Sequence, residues 1–126
     1  MSKKPPSAKQ WRQTIYQHHL LWVPTRESWE YLCRKSLTDP HAEIPAGVAG
    51  HVLNTEWNDG GHVIAVWINP NPWKQNVATR VGIVAHEAAH AARMILDNIG
   101  ETERTWEVEP YLVGDVAAAI WEMMHG

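Results

Sequence analysis

Phenylalanine is absent from this 126-residue chain, and cysteine occurs once, at Cys33. A single thiol excludes an internal disulfide framework and is compatible with a reducing compartment. No apolar run approaches the roughly 20 residues needed to cross a bilayer. The start, MSKKPPSAKQ, carries two lysines but no apolar core after them, so it does not read as a secretory signal. Basic charge is also scarce. The formal net charge is −3, so neither nucleic acid nor membrane is expected as a partner. A soluble, cytoplasmic protein with one core and one domain is the simplest expectation.

In place of phenylalanine there are 8 tryptophans, which suit core anchors with an exposed subset free to line a groove. There are also 8 histidines. Two of them stand in the stretch VGIVAHEAAHAARMILDNIG (81–100), as His86-Glu87-Ala88-Ala89-His90. Histidines four apart lie one above the other on a helix, so both imidazoles reach one cation without bending the backbone. Glu87 projects about one helical step away, suited to a metal-bound water rather than to ligation. This is the HExxH arrangement of zinc peptidases, two ligands and a general base. Chance alone would give about 0.04 such matches in a chain of this composition. Val81, Val84, Ala85, Ala88, Ala92 and Ile95 fall at helical spacings beside the histidines. Small alanines leave room for close packing around an ion.

The rest of the chain supplies a frame. Residues 1–10 are polar and proline-bearing and are expected to be disordered, with 11–126 forming a single domain. Signals over Trp11–Tyr16 are weak, and Gln17–Val23 reads as a first strand ended by Pro24. His18 and His19, being adjacent, would point to opposite faces and chelate poorly together. Thr25 is an N-cap for a helix over Arg26–Leu37, whose apolar stripe includes Cys33, expected as a small buried hydrophobe. Asn58-Asp59-Gly60-Gly61 is a hairpin turn between Val48–Trp57 and His62–Asn69. The motif helix should begin near Asn76 or Val77 and close at Gly100, and a last helix should run from about Trp106 to Met124. The fold class is therefore α+β, a small antiparallel-containing sheet packed on the motif helix and a C-terminal helix.

A catalytic zinc takes three protein ligands and keeps a position for water. Glu101, Glu103, Glu107 and Glu109 follow the motif, and a helix folding back would bring Glu107 or Glu109 toward His90. Glu107 shares a helical stripe with Tyr111, Gly114, Ala118 and Trp121, whereas Glu109 shares one with Val113, Val116 and Ile120. The smaller stripe suits close approach to the alanine-rich helix, so Glu107 is preferred. Asp97 is a candidate to orient a ligand, and Tyr111 a candidate oxyanion donor.

From Gly61 to Trp121, a hydrophobic strand, a loop, HEAAH with ILDNIG downstream, and then WEVEPYLVG resemble small phage- or prophage-encoded zincin-like proteins of the gluzincin type. The resemblance implies a minimal zincin-like domain, Zn2+ as cofactor, a peptide or protein substrate, and location in host cytoplasm. It implies His86 and His90 as ligands, Glu87 as base, and Glu107 as third ligand by its spacing to Tyr111-Leu112. Against larger thermolysin-like enzymes, the expectation is a departure, with no clear substrate-binding C-terminal subdomain in these 126 residues.

The leading expectation is a zinc metallopeptidase, with His62–Asn69 pairing substrate along a sheet edge and Trp73 shaping the cleft. The competing expectation is a non-catalytic zinc-stabilised interaction module, for which a fourth protein ligand such as His62 or His125 would speak. A third is a metal-free interaction protein in which HEAAH is accidental.

Overall fold

The fold rests on two apolar surfaces of one small sheet. The computed structural model describes residues 7–38, 43–70, 76–100 and 108–126. In chain order these form β1 (Lys9–Gln13), β2 (His18–Val23), α1 (Arg26–Lys35), β3 (Gly50–Glu56), β4 (His62–Ile68), α2 (Val77–Asn98) and α3 (Val108–His125). The strand order is β1-β2-β4-β3, with β2 and β4 parallel and the outer pairs antiparallel. The class is α+β, as expected.

β4 explains the layering. Its run HVIAVWI is almost wholly apolar because both faces of a central strand are covered. Ile64, Val66 and Ile68 join Leu20 and Val52 in a core with α2 and α3. Val63, Ala65 and Trp67 join Leu21 and Val23 in a second core, with Trp29, Leu32 and Cys33 of α1. The sheet is thus the middle of three layers.

Local signals set the element ends. The Thr25 hydroxyl accepts from the Ser28 N–H at 3.0 Å, and Asn76 Oδ1 accepts from the Thr79 N–H at 2.9 Å. These caps satisfy donors that the first helical turn leaves open. Gly100 closes α2 at φ +77°, a conformation costly for a side chain. Gly60 and Gly61 take positive φ in the β3–β4 turn, as the sequence predicts.

Three expectations need correction. The strand expected first is second, because Lys9–Gln13 pairs antiparallel with β2. Ala8 is buried at 2% exposure, so the disorder expected through residue 10 does not extend to Ala8, Lys9 and Gln10. This polar strand becomes a strand through its partner, not through its own composition. Second, β4 is not an edge; it lies between β2 and β3, and β3, like β1, is an edge strand. Third, α3 buries Leu112, Val116, Ala119, Ile120 and Met123, while Tyr111, Gly114 and Ala118 are exposed. The packing argument for Glu107 is overturned: the aliphatic stripe removes more apolar area from water than the small-residue stripe would.

On α2 the inward face is Ala88, Ala91 and Ala92, each 0% exposed. Ala92→Leu should destabilise the fold by about 1–3 kcal/mol through overpacking. Ala89→Leu on the exposed side should cost less than about 0.5 kcal/mol. Urea denaturation of the two variants checks the contrast.

Candidate metal centre

The site grows from one face of α2. His86 Nε2 and His90 Nε2 are 3.2 Å apart, with ring centroids 4.8 Å apart and planes at 81°. Two Zn–N bonds of about 2.05 Å at a tetrahedral angle place their nitrogens about 3.3 Å apart. The pair therefore has the spacing of two ligands on one ion. Both histidines are exposed, whereas Glu87, one step round the helix, is 4% exposed. The ligand-type atoms of His86, Glu87 and His90 all lie within 4.8 Å of one another.

Burial pushes the Glu87 carboxyl above the ordinary glutamate value, and the charges of His86 and His90 partly oppose that shift. A carboxylate made more basic in this way, next to two convergent imidazoles, is suited to taking a proton from water. Its side chain lies against Gly50 at the start of β3.

A cleft of about 730 Å3 opens over these residues. Val48, Gly50 and Val52 form one wall, and Ile83, His86 and His90 line the other. The strand wall has a defined polarity. The Asn69 N–H donates to Ala49 O at 2.8 Å, and the Trp57 N–H donates to Gly61 O at 2.9 Å. In an antiparallel ladder, inward and outward backbone groups alternate. Residues 49, 51, 53, 55 and 57 therefore address β4, and Gly50, Val52, Asn54 and Glu56 present N–H and C=O to the outside. At the far end Glu56 O accepts from the Thr38 N–H at 3.2 Å, so the chain covers the edge there. The Gly50–Val52 end, beside the histidines, is the end that borders the cleft.

A second recess joins His86, Ala89, His90 and Arg93 of α2 to Glu109, Pro110 and Val113 of α3. Glu109 Oε1 is 3.5 Å from Arg93 Nε, and the Glu109 side chain is partly buried, with 23% exposure. Among the described residues of the returning helix, Glu109 shares this recess with the motif histidines and stands outside the close His86–Glu87–His90 group. Glu101, Glu103 and Glu107, like Trp73, lie outside the described residues.

Other expected participants are elsewhere. Tyr111 is 63% exposed and lines neither recess, so the geometry does not bring it to the site as an oxyanion donor. His62 stands by His18, with ring centroids 6.4 Å apart, and His125 packs on Trp121 at 4.2 Å. Neither His62 nor His125 supplies a fourth ligand. Asp97 is exposed and lines neither recess. His18 and His19 are divided as expected: His18 Nε2 meets Asn98 Nδ2 at 3.2 Å, and His19 Nδ1 meets Gln10 Nε2 at 3.0 Å. The sequence reading missed Gly50 and Arg93. Alternation along GHVLNTE, with glycine at its head, was the available signal for Gly50.

No known protein family, curated protein or solved structure matches this chain.

Two measurements test this geometry. In zinc titrations, His86→Ala or His90→Ala should weaken binding by more than the about 10- to 100-fold that follows loss of an outer-shell partner. In the metal-free protein, the raised Glu87 value means that the folded state holds its proton more tightly than the unfolded chain does. That contribution is complete below the ordinary glutamate value and is lost as pH rises through the folded value. Glu87→Gln should match the natural chain below about pH 4 and exceed it in urea midpoint near neutrality.

Proposed function

We propose that this chain is a zinc-dependent peptidase in which His86 and His90 hold the ion and Glu87 is the general base. The observation that carries the reading is the placement of a buried carboxylate under two convergent imidazoles, at the floor of a cleft with an open strand edge. The donor set fits zinc: two imidazole nitrogens at tetrahedral separation, with Glu109 of the next helix lining a recess shared with both histidines. Glu109 is the third-ligand candidate among the described residues, and Glu107 lies outside them.

When bound, zinc would lower the pKa of a water toward about 7 and polarise a carbonyl. The chain's own groups do the rest. The outward N–H and C=O groups of Gly50 and Val52 would bind an extended peptide as an added strand, which gives affinity without reading side chains. The apolar walls, Val48, Val52 and Ile83, would exclude water from the bond being cut. Glu87 would accept the attacking water's proton and return it to the leaving amine nitrogen.

A second reading, a non-catalytic zinc-stabilised interaction module, is favoured by one observation. Val77 and Val81 are 54% and 48% exposed and continue along α2 toward Ala85 and Ala89. An apolar stripe of that kind suits protein contact.

Glu87→Gln separates the two. On unfolded casein, the peptidase reading expects turnover to fall by at least about 100-fold. Zinc affinity should stay within about threefold, under about 0.7 kcal/mol. Equal cleavage by the variant overturns the assignment of the base. Zinc binding without cleavage by the natural chain favours the module. Glu109→Gln should weaken zinc binding if this carboxylate is the third ligand; unchanged affinity would return that role to the residues before Val108.

A further inference from the structure

Gly50 stands where a side chain would collide with the carboxylate that matters most. A Cβ built on it would lie 2.7 Å from Glu87 Cγ, 2.7 Å from Glu87 Oε2 and 2.9 Å from Glu87 Cδ. Gly50 does not have the positive φ found at Gly47, Gly60, Gly61 and Gly100, so backbone conformation gives no reason for glycine here. Other glycines behave differently: a Cβ at Gly82 or Gly114 meets nothing within 4 Å. The overlap at Gly50 involves the middle of the Glu87 side chain as well as its tip. A rotation of the carboxylate alone therefore does not relieve it, and the side chain must leave its rotamer.

We propose that Gly50 is a positioning residue for Glu87. Its missing side chain lets the carboxylate lie against the edge strand, beneath the imidazoles and beside the backbone groups that face the cleft. This rests on the reading of Glu87 as base. The geometry links two properties of one residue. The same short stretch of β3 that offers outward N–H and C=O groups also sets how near Glu87 sits to whatever pairs there. Glycine at position 50 thus fixes the base relative to the bound chain, a distance on which proton transfer depends steeply.

The test combines stability, metal binding and turnover. Gly50→Ala is made in the natural chain and in the Glu87→Ala background, with Gly114→Ala as the control for adding a methyl group in open space. Urea denaturation should show a lower midpoint for Gly50→Ala in the natural chain and less than half of that drop when Glu87 is already truncated. Equal drops in both backgrounds overturn the contact. Zinc affinity of Gly50→Ala should remain within about threefold of the natural value. Hydrolysis of unfolded casein should fall by at least about tenfold, with the loss in kcat. Gly114→Ala should cleave at the natural rate. Full activity of Gly50→Ala overturns the positioning role, as does a loss that tracks zinc affinity. Should Gly50→Ala fold too poorly to assay, Gly50→Ala with Glu87→Asp, whose shorter side chain leaves room, should recover folding. Failure to recover also overturns the proposal. Absence of casein cleavage by the natural chain removes the peptidase reading and the catalytic consequence with it, while the coupling between positions 50 and 87 still decides the contact.

Discussion

The close contact between the alanine face of α2 and the sheet is the constraint on which the site depends. Ala88, Ala91 and Ala92 have no exposed surface and no side chain beyond Cβ, so the helix backbone comes near the strands. Larger residues would hold the helix off. With the helix close, each following position has its place set by the 3.6-residue turn. Glu87 falls at the border of the buried face and is pressed toward β3. His86 and His90 fall one step further round, at the surface, on the side where the sheet ends. A carboxylate under cover and two imidazoles in the open are consequences of one packing contact.

The strand order completes the arrangement. Had β4 been the edge, its nearly continuous apolar run would have exposed backbone and large aliphatic side chains together, a hazard for aggregation. Instead β4 is enclosed, and the strand left at the edge is shorter of large apolar residues and covered at its far end by residues 36–38. What remains open is a short segment beside the histidines. Coverage of one end leaves the edge open where it borders the cleft beside His86 and His90.

Much of this was legible because it is local. The HExxH spacing, the Thr25 and Asn76 caps, the Gly100 stop and the hairpin turn each depend on residues a few positions apart. The failures are all tertiary. Lys9–Gln13 has no apolar alternation, and it forms a strand because β2 offers an edge to it. The run HVIAVWI contained the signal that β4 is covered on both faces, a pattern that belongs to a central strand and not to an edge. On α3 the two candidate stripes differ in what they bury. Leu112, Val116 and Ile120 recur at four-residue steps and outweigh the small residues whose appeal was close approach. The preference for Glu107 was argued from that wrong face, and Tyr111 lies on the same exposed stripe.

Parity along β3 divides the candidate site from the framework. Even positions turn their side chains to α2: Gly50 meets Glu87, Val52 joins the α2–α3 core, and Asn54 exchanges side-chain hydrogen bonds with Asn98 at 2.8 and 3.0 Å. Odd positions turn to α1, where Leu53 packs against the second core and His51 lies edge-on to Trp29 at 5.5 Å. Burial lowers the pKa of His51, which keeps that imidazole neutral among apolar neighbours. His51 is therefore next in sequence to the residue that lies against Glu87, yet belongs to the other side of the sheet. Cys33 sits in that same second core, and the Arg26 guanidinium lies 4.8 Å above the Trp67 ring. The α1 layer thus holds the sheet from behind, and substitutions there reach the site only through the stability of β3. A register slip of one residue in β3 would exchange the two sets, placing His51 against Glu87 and Gly50 against Trp29. The hairpin glycines and the two-sided burial of β4 fix that register, and the site exists only in the register they fix.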